Sequence, residues 1–120
     1  MQGLILLDKP ENITSFGAVA KLKRIAFEKR VGLTGTLDPM ATGVLPVLLG
    51  RATALSGLLT LADKRYTAKV KLGVATDTED ITGNIISETE VSVTNEQLER
   101  ALKHFTGKIM QKPPMYSAFK

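Results

Sequence analysis

A long stretch between two apolar segments, residues 31–43, has neither the period of a helix nor that of a strand. It contains three glycines, three threonines and one proline, residues that are typical of turns and loops. Structureless segments of about a dozen residues inside compact domains are uncommon, and many of them are functional. Leu33, Leu37 and Met40 disfavour disorder. We therefore predict a structured, functional loop, in which Asp38 lies between Leu37 and Pro39.

Apolar patterning on both sides of this loop predicts short strands and helices. Residues 3–7 are expected to form a buried strand, closed by Asp8-Lys9-Pro10. Thr14 or Ser15 can cap a helix whose apolar residues recur at three- and four-residue steps. Residues 44–49 predict a second strand, irregular or at a sheet edge because of Pro46, and a short helix is expected at 52–61.

The second half of the chain has a different pattern. Strict alternation over residues 66–72 predicts a half-exposed strand, and another strand opens at Ile85. Thr94 and Gln97 form a capping box for an amphipathic helix, and a short strand is expected near Ile109. Strands and helices that mix without regular βαβ alternation indicate an α+β domain, with a mixed β-sheet and flanking helices.

Composition and charge exclude several kinds of function. The absence of cysteine rules out disulfides and cysteine-ligated zinc or iron–sulfur clusters. The first apolar run is far short of the ~20 residues of a membrane span, so we expect no membrane partner. The absence of cysteine fits a reducing cytoplasm, where we expect the protein to be located. The net charge of the chain is +4. Residues 21–30 form a basic run that has the same net charge of +4, because it contains five cations and a single acid, Glu28. The cations are Lys21, Lys23, Arg24, Lys29 and Arg30. Such a face fits plain solvation as well as a polyanionic partner.

Familiar binding and catalytic motifs are weak in this sequence. The single histidine, His104, lies on a predicted helix and is expected to be structural. Residues 32–35 match the GxxG clamp of KH domains, but the helix that should follow is missing. The acidic residues at 77–80 lack EF-hand spacing, so we expect a solvated turn and no metal site. By itself, Asp38 fits an Asp-Pro turn as readily as a nucleophile or base.

The string Gly35–Leu45, GTLDPMATGVL, resembles the signature of the TruB family of pseudouridine synthases, in which the aspartate is catalytic. Further segments that fall in the family's order are residues 3–10, 63–66, 72–73 together with 76–80 and Gly83, and 113–118. The resemblance implies the pseudouridine synthase catalytic-domain fold. Residues 1–120 are then expected to be its N-terminal portion, without the rest of the catalytic domain and without the PUA-type RNA-binding domain.

The resemblance implies cofactor-free isomerisation of uridine to pseudouridine in the TΨC stem-loop of tRNA, at position 55. The target base must leave the stack, which costs roughly a few kcal/mol. Asp38 would then attack the base, attack the ribose or remove a ribose proton, and these routes stay open. An arginine further along the family's chain would pair with the aspartate.

Several other residues acquire roles only through the resemblance. Tyr66 would stack on the flipped base, although its strand position also fits a core aromatic. Asp80 would bind substrate or hold the site, and Lys9 with Pro10 would support the Asp38 loop. Thr42, within the signature string, is assigned to substrate binding.

One departure from the family pattern concerns contact with RNA. Leu33 stands where members usually carry a histidine that packs into the tRNA loop, and leucine can wedge there but cannot hydrogen-bond. The basic run between Lys21 and Arg30 would contact tRNA phosphates and position the substrate.

Three alternatives to this function remain at the level of sequence. They are a guide-RNA-dependent enzyme of the same family, a non-catalytic RNA-binding or tRNA-folding module, and an unrelated domain that mimics the motif. A full-length family member is expected to be monomeric, whereas residues 1–120 alone are expected to be inactive and to self-associate.

Overall fold

The computed structural model describes residues 1–112. They belong to two compact units, Met1–Tyr66 and a second unit that starts at Thr67. The expected segment at 113–118 lies outside the described residues.

The first unit is built on a three-stranded antiparallel sheet of order β1-β3-β2. Its strands are β1 (Gly3–Lys9), β2 (Val31–Leu33) and β3 (Gly43–Leu49). Helix α1 (Ser15–Ala26) lies between β1 and β2 in the chain. A 3₁₀ helix (Gly50–Leu55) and α2 (Ser56–Thr60) follow β3, where one short helix was predicted.

Strand β3 is central, so the prediction that Pro46 marks an edge or irregular strand is wrong. Pro46 pairs with Leu6 of β1, whereas β2 ends at the pair Leu33–Val47. The Thr34 hydroxyl donates to the Pro46 carbonyl at 3.5 Å, which places that carbonyl on the β2 side of the strand. The nitrogen and carbonyl of one strand residue point to the same side. The missing N–H of Pro46 therefore faces the end of β2 and removes no hydrogen bond to β1.

The loop predicted at 31–43 is shorter in the structure, because residues 31–33 form β2. Val31 pairs with Leu49 and Leu33 pairs with Val47. Three residues are too few to show a period in the sequence, and only pairing with β3 makes them a strand.

The core of the first unit combines side chains of the sheet and of α1. Its buried members are Val19, Leu45, Val47 and Leu49. Partly buried apolar side chains pack around them: Ile5, Leu7, Leu22, Ala26, Val31, Leu33 and Leu37. The predicted start of α1 is confirmed, since the Thr14 hydroxyl accepts a hydrogen bond from the Gly17 N–H at 2.9 Å.

The second unit contains an antiparallel hairpin and a helix. Strands β4 (Val74–Thr76) and β5 (Ile85–Glu88) pair, and helix α3 (Asn95–Lys103) follows. The capping box of α3 is confirmed. The Gln97 N–H donates to the Thr94 hydroxyl at 3.3 Å, and the Gln97 side chain accepts from the Thr94 N–H at 2.9 Å.

Two predicted strands do not form. Residues 66–72 are irregular and exposed, and no strand is present near Ile109 within the part of the chain that the structure describes. Alternation supports a strand only when a neighbouring strand supplies hydrogen bonds, and no described residue pairs with 66–72.

The α+β class is confirmed. Where we expected a mixed sheet, every strand pair within residues 1–112 is antiparallel. None of the helices in this range is long and apolar enough to cross a membrane.

Candidate active site

Asp38 begins a tight turn in the loop between β2 and β3. The Ala41 N–H donates to the Asp38 carbonyl at 3.0 Å, with Pro39 at the second position of the turn, where its fixed φ is favourable. The Asp38 side chain is exposed. Among residues 1–112, its carboxylate makes no hydrogen bond or ion pair. The main chain of this turn is therefore fixed, while the carboxylate is free to meet a ligand.

Lys9, the last residue of β1, stabilises this turn through a buried side chain that bonds Pro39. Its side chain is 0% exposed. The Nζ atom donates to the carbonyls of Pro10 at 2.8 Å, Ile13 at 2.9 Å and Pro39 at 3.2 Å. An ammonium group has three donors, so every donor has an acceptor and the cost of burying the charge is offset by hydrogen bonds.

Main-chain and hydroxyl groups complete the support of the turn. The Asn12 N–H donates to the Pro39 carbonyl at 2.8 Å, and Asn12 has φ 61°, a left-handed conformation that asparagine tolerates. On the other flank of Asp38, the buried hydroxyl of Ser15 bonds both main-chain groups of Leu37. Sequence reasoning did not assign Asn12 or Ser15 to the site. Their contacts are long-range, and no local pattern signals them.

The other residues assigned to substrate binding lie in different surroundings. Thr42 is exposed, directly before β3. Leu33 is half-buried in β2 and packs against the core. Tyr66 ends the first unit with 68% of its surface exposed, and no hydrogen bond joins it to Asp38 among the described residues. Roles of these three side chains in RNA recognition stay predictions.

Asp80 belongs to the second unit, in the loop between β4 and β5. Its Oδ1 atom accepts from the Thr82 hydroxyl at 2.6 Å, the Thr82 N–H at 2.8 Å and the Thr78 hydroxyl at 2.8 Å. These bonds, the Thr82 hydroxyl first, lower the pKa of the Asp80 carboxyl. A single oxygen of the Asp80 carboxylate therefore accepts all three hydrogen bonds, and these bonds stabilise the loop that contains Asp80.

The same loop depends on a glycine at position 83. A Cβ atom there would collide with the Thr78 hydroxyl and with the Asp77 carboxylate, which also accepts from the Asn84 N–H at 2.9 Å. The carboxylates of Asp77 and Asp80 therefore accept hydrogen bonds within their own turn, which agrees with the predicted solvated turn. No group of potential metal-binding side chains is found within residues 1–112.

The cations of the basic run are all exposed. Three lie on α1, and Lys29 and Arg30 follow it. The single acid, Glu28, instead pairs with the N-terminal amine at 3.0 Å, the one ion pair within residues 1–112. Its carboxyl pKa is lowered by the hydrogen bond from the Arg30 N–H and by that amine. The five cations consequently keep their charge available to an external anion.

An open groove of about 600 Å³ lies beside this run. Lys23, Arg24, Phe27, Glu28 and Lys29 line it. Phe27 is 95% exposed. The groove is open and three of its five lining residues are cations, which suits an extended polyanion better than an enclosed small molecule.

Known proteins resemble this chain in sequence and in fold. The model of the family described as "TruB family pseudouridylate synthase (N terminal domain)" matches residues 23–120. A protein of Azoarcus sp. (strain BH72) named tRNA pseudouridine synthase B is 52% identical over 120 residues, which are 100% of this chain and 40% of that protein. A protein of the same name from Fusobacterium nucleatum is 50% identical over 120 residues, or 42% of its length. The chain thus spans about two fifths of these curated relatives.

A solved structure described as "Crystal Structure of a Cbf5-Nop10-Gar1 Complex" has a chain of similar fold. The TM-score is 0.66 at 31% sequence identity, and the match covers 98% of this chain and 31% of that one.

Proposed function

Because the chain belongs to the TruB family of pseudouridylate synthases, we propose that the whole protein isomerises uridine to pseudouridine in tRNA, at position 55 of the TΨC loop. The observation that carries the proposal is the Asp38 turn, in which rigid main-chain support surrounds an unengaged carboxylate. A nucleophile or base must be held in position yet free to react. A cytoplasmic location fits such a substrate.

Asp38 is the catalytic residue in this proposal. Its carboxylate acts on the flipped uridine or on its ribose, and no cofactor or metal takes part. The reaction breaks the bond from ribose to N1 and forms one from ribose to C5; the C5 hydrogen leaves as a proton, and N1 takes up a proton from solvent. Tyr66 stacks on the flipped base, Asp80 and Thr42 contact the nucleotide, and Leu33 wedges into the emptied tRNA loop.

The test is tritium release from tRNA labelled at C5 of uridine, with the full-length protein. Asp38→Asn should abolish release while tRNA binding persists, because it removes charge and nucleophilicity with little change of shape. Glu11→Gln is the matched control, since it removes another exposed carboxylate, next to Asn12, whose N–H bonds the Pro39 carbonyl. Asp38→Asn turnover within tenfold of wild type would refute the assignment.

The basic run is proposed to bind tRNA phosphates. A Lys21→Ala, Lys23→Ala, Arg24→Ala triple variant should bind tRNA more weakly, with a salt dependence flattened by about one unit per lost contact. A triple change to alanine of the exposed Arg100, Lys103 and Lys108 removes the same charge elsewhere and should leave a larger slope. If the two triple variants show equal salt dependence of tRNA binding, the basic run is only a solvated face and does not contact tRNA phosphates.

The guide-RNA-dependent alternative makes a different prediction in the same assay. A protein that acts on tRNA by itself needs no other RNA, so tritium release should proceed with purified protein and a tRNA transcript only. Release that starts only after a second RNA is added would favour the alternative.

A further inference from the structure

We propose that Ser15 is a positioning residue for the Asp38 carboxylate, and this inference rests on the proposed function. Ser15 is the first residue of α1, with 2% of its surface exposed. Its Oγ accepts from the Leu37 N–H at 2.8 Å and donates to the Leu37 carbonyl at 3.0 Å. Both polar main-chain groups of the residue before Asp38 are thus bound by one hydroxyl.

This hydroxyl takes the place of a neighbouring strand. Leu37 has no partner strand, so its N–H and carbonyl would otherwise lack partners beside the core against which its side chain packs. A serine hydroxyl can donate once and accept as well, and here it does both. Because Ser15 is buried, water cannot readily replace it.

Ser15 is free for this role because its neighbour performs the capping. The Thr14 hydroxyl accepts from the Gly17 N–H at 2.9 Å and so closes the start of α1. Two adjacent hydroxyls therefore serve different structures, Thr14 the helix and Ser15 the loop. Because the two hydroxyls have different partners, substitutions at Ser15 and Thr14 form a matched pair of variants.

Together with Lys9, Ser15 fixes the turn on both flanks of Asp38. Lys9 binds the carbonyl of Pro39, which follows Asp38, and Ser15 binds Leu37, which precedes it. Because the residues on both sides of Asp38 are held by hydrogen bonds, the main chain of Asp38 is restricted, and so are the positions that its carboxylate can occupy. Since a displacement of about 1 Å can cost roughly 100-fold in rate, loss of either anchor should lower turnover more than substrate binding.

The experiment compares Ser15→Ala, Ser15→Thr and Thr14→Val in the full-length protein, at a temperature below all their unfolding transitions. Ser15→Ala should lower kcat by roughly 10- to 100-fold with KM nearly unchanged. Ser15→Thr keeps the hydroxyl and should recover most of kcat, whereas Thr14→Val should stay within about twofold of wild type. Amide hydrogen exchange at Leu37 should accelerate at least tenfold in Ser15→Ala but not in Thr14→Val.

Each outcome has a defined meaning. Wild-type kcat in Ser15→Ala, or equal losses in Ser15→Ala and Thr14→Val, would overturn the positioning role. If the wild-type protein releases no tritium, the proposed function fails. The anchoring by Ser15 is then judged by the exchange at Leu37, and unchanged exchange in Ser15→Ala overturns it.

Discussion

Lys9 shows how one buried cation can organise a loop that lies far from it in sequence. Its three carbonyl acceptors come from Pro10, Ile13 and Pro39, with no carboxylate among them. We expect Lys9→Met to lower the free energy of unfolding by about 3 kcal/mol, because it leaves these carbonyls without a charged donor while keeping the apolar stem. Urea denaturation measures this.

Lys64 offers the matched control for Lys9. Its Nζ also donates to two carbonyls, of Thr60 at 2.8 Å and Ala62 at 2.9 Å, but its side chain is exposed. Water can replace the lost donor there, so Lys64→Met should leave the urea midpoint almost unchanged. Equal losses in both variants would show that burial of Lys9 is not the cause.

Asp80 leads to a prediction about pH. The Thr82 hydroxyl is the main cause of the lowered pKa of the Asp80 carboxyl. Thr82→Val should therefore raise that pKa towards its ordinary value, but only in part, because the Thr82 N–H still donates to Oδ1 at 2.8 Å. An NMR titration of the Asp80 carboxyl measures the shift, with Thr106→Val as the control.

The sign of the linked stability follows from the direction of the shift. A carboxyl whose pKa is lower in the folded state stabilises that state above its unfolded pKa. This contribution is lost as the pH falls through the lowered pKa of the folded state. Thr82→Val should therefore diminish the acid-dependent part of stability, and an unchanged pH profile would contradict this account of the loop.

At the scale of elements, the end of α1 carries a local strain. Phe27 closes the helix with φ 50°, in the left-handed region that a side chain with a Cβ atom disfavours by about 1–2 kcal/mol. Since Phe27 is 95% exposed, it buries little surface in return. Phe27→Gly should raise the free energy of unfolding by roughly 0.5–1 kcal/mol, after allowance for the extra chain entropy of glycine.

Phe27→Ala is the control for this helix end. Alanine keeps the Cβ atom and so keeps the strain, while it removes the same ring. It should therefore show no gain in the urea midpoint. A gain in Phe27→Ala as large as that in Phe27→Gly would attribute the effect to the ring rather than to the backbone.

Elements with strong local signals were predictable from the sequence. The helix cap expected at Thr14 or Ser15 is at Thr14, and the box of Thr94 with Gln97 is confirmed. The strands β1 and β3 are both present, but β1 is half-exposed where a buried strand was expected, because Leu4 and Leu6 face solvent. Strand β2 and the irregular 66–72 segment were not predictable, because their state depends on whether a partner strand is present.

The candidate site was predictable only in part. The resemblance to the TruB family, now confirmed by the family match, singled out Asp38. The contacts that fix its turn were beyond sequence patterns, because Ser15 and Leu37 lie 22 residues apart and only the fold brings them together.

At the scale of the whole molecule, the described residues 1–112 expose much apolar surface. On α3 and just after it, Leu98, Leu102 and Phe105 are 39%, 57% and 72% exposed, although their spacing is that of a core-facing stripe. We expect the isolated chain to self-associate, because contiguous apolar patches of this kind are rarely left in water. Light scattering coupled to size exclusion measures its mass.

Leu102→Glu with Phe105→Glu should shift that equilibrium towards the monomer, whereas Lys103→Glu, which alters charge at a polar position of the same helix, should shift it less. The isolated chain should also release no tritium from tRNA, since it spans only about 40% of its relatives. A monodisperse, active monomer would contradict both expectations.

The register between β1 and β3 has a consequence for how the chain reaches its folded state. Lys9 pairs with Gly43, so pairing of β1 with β3 closes one long chain segment that contains α1, β2 and the Asp38 turn. Pairing between strands that are distant in sequence forms slowly, because the chain loses loop-closure entropy before the contacts between the strands can stabilise it. A chain emerging from the ribosome would carry β1 and α1 well before β3 is available. Lys9 can bond Pro39 only after these distant parts of the chain have met, and a register slip of one residue in β1 would turn the Lys9 side chain to the opposite face of the sheet.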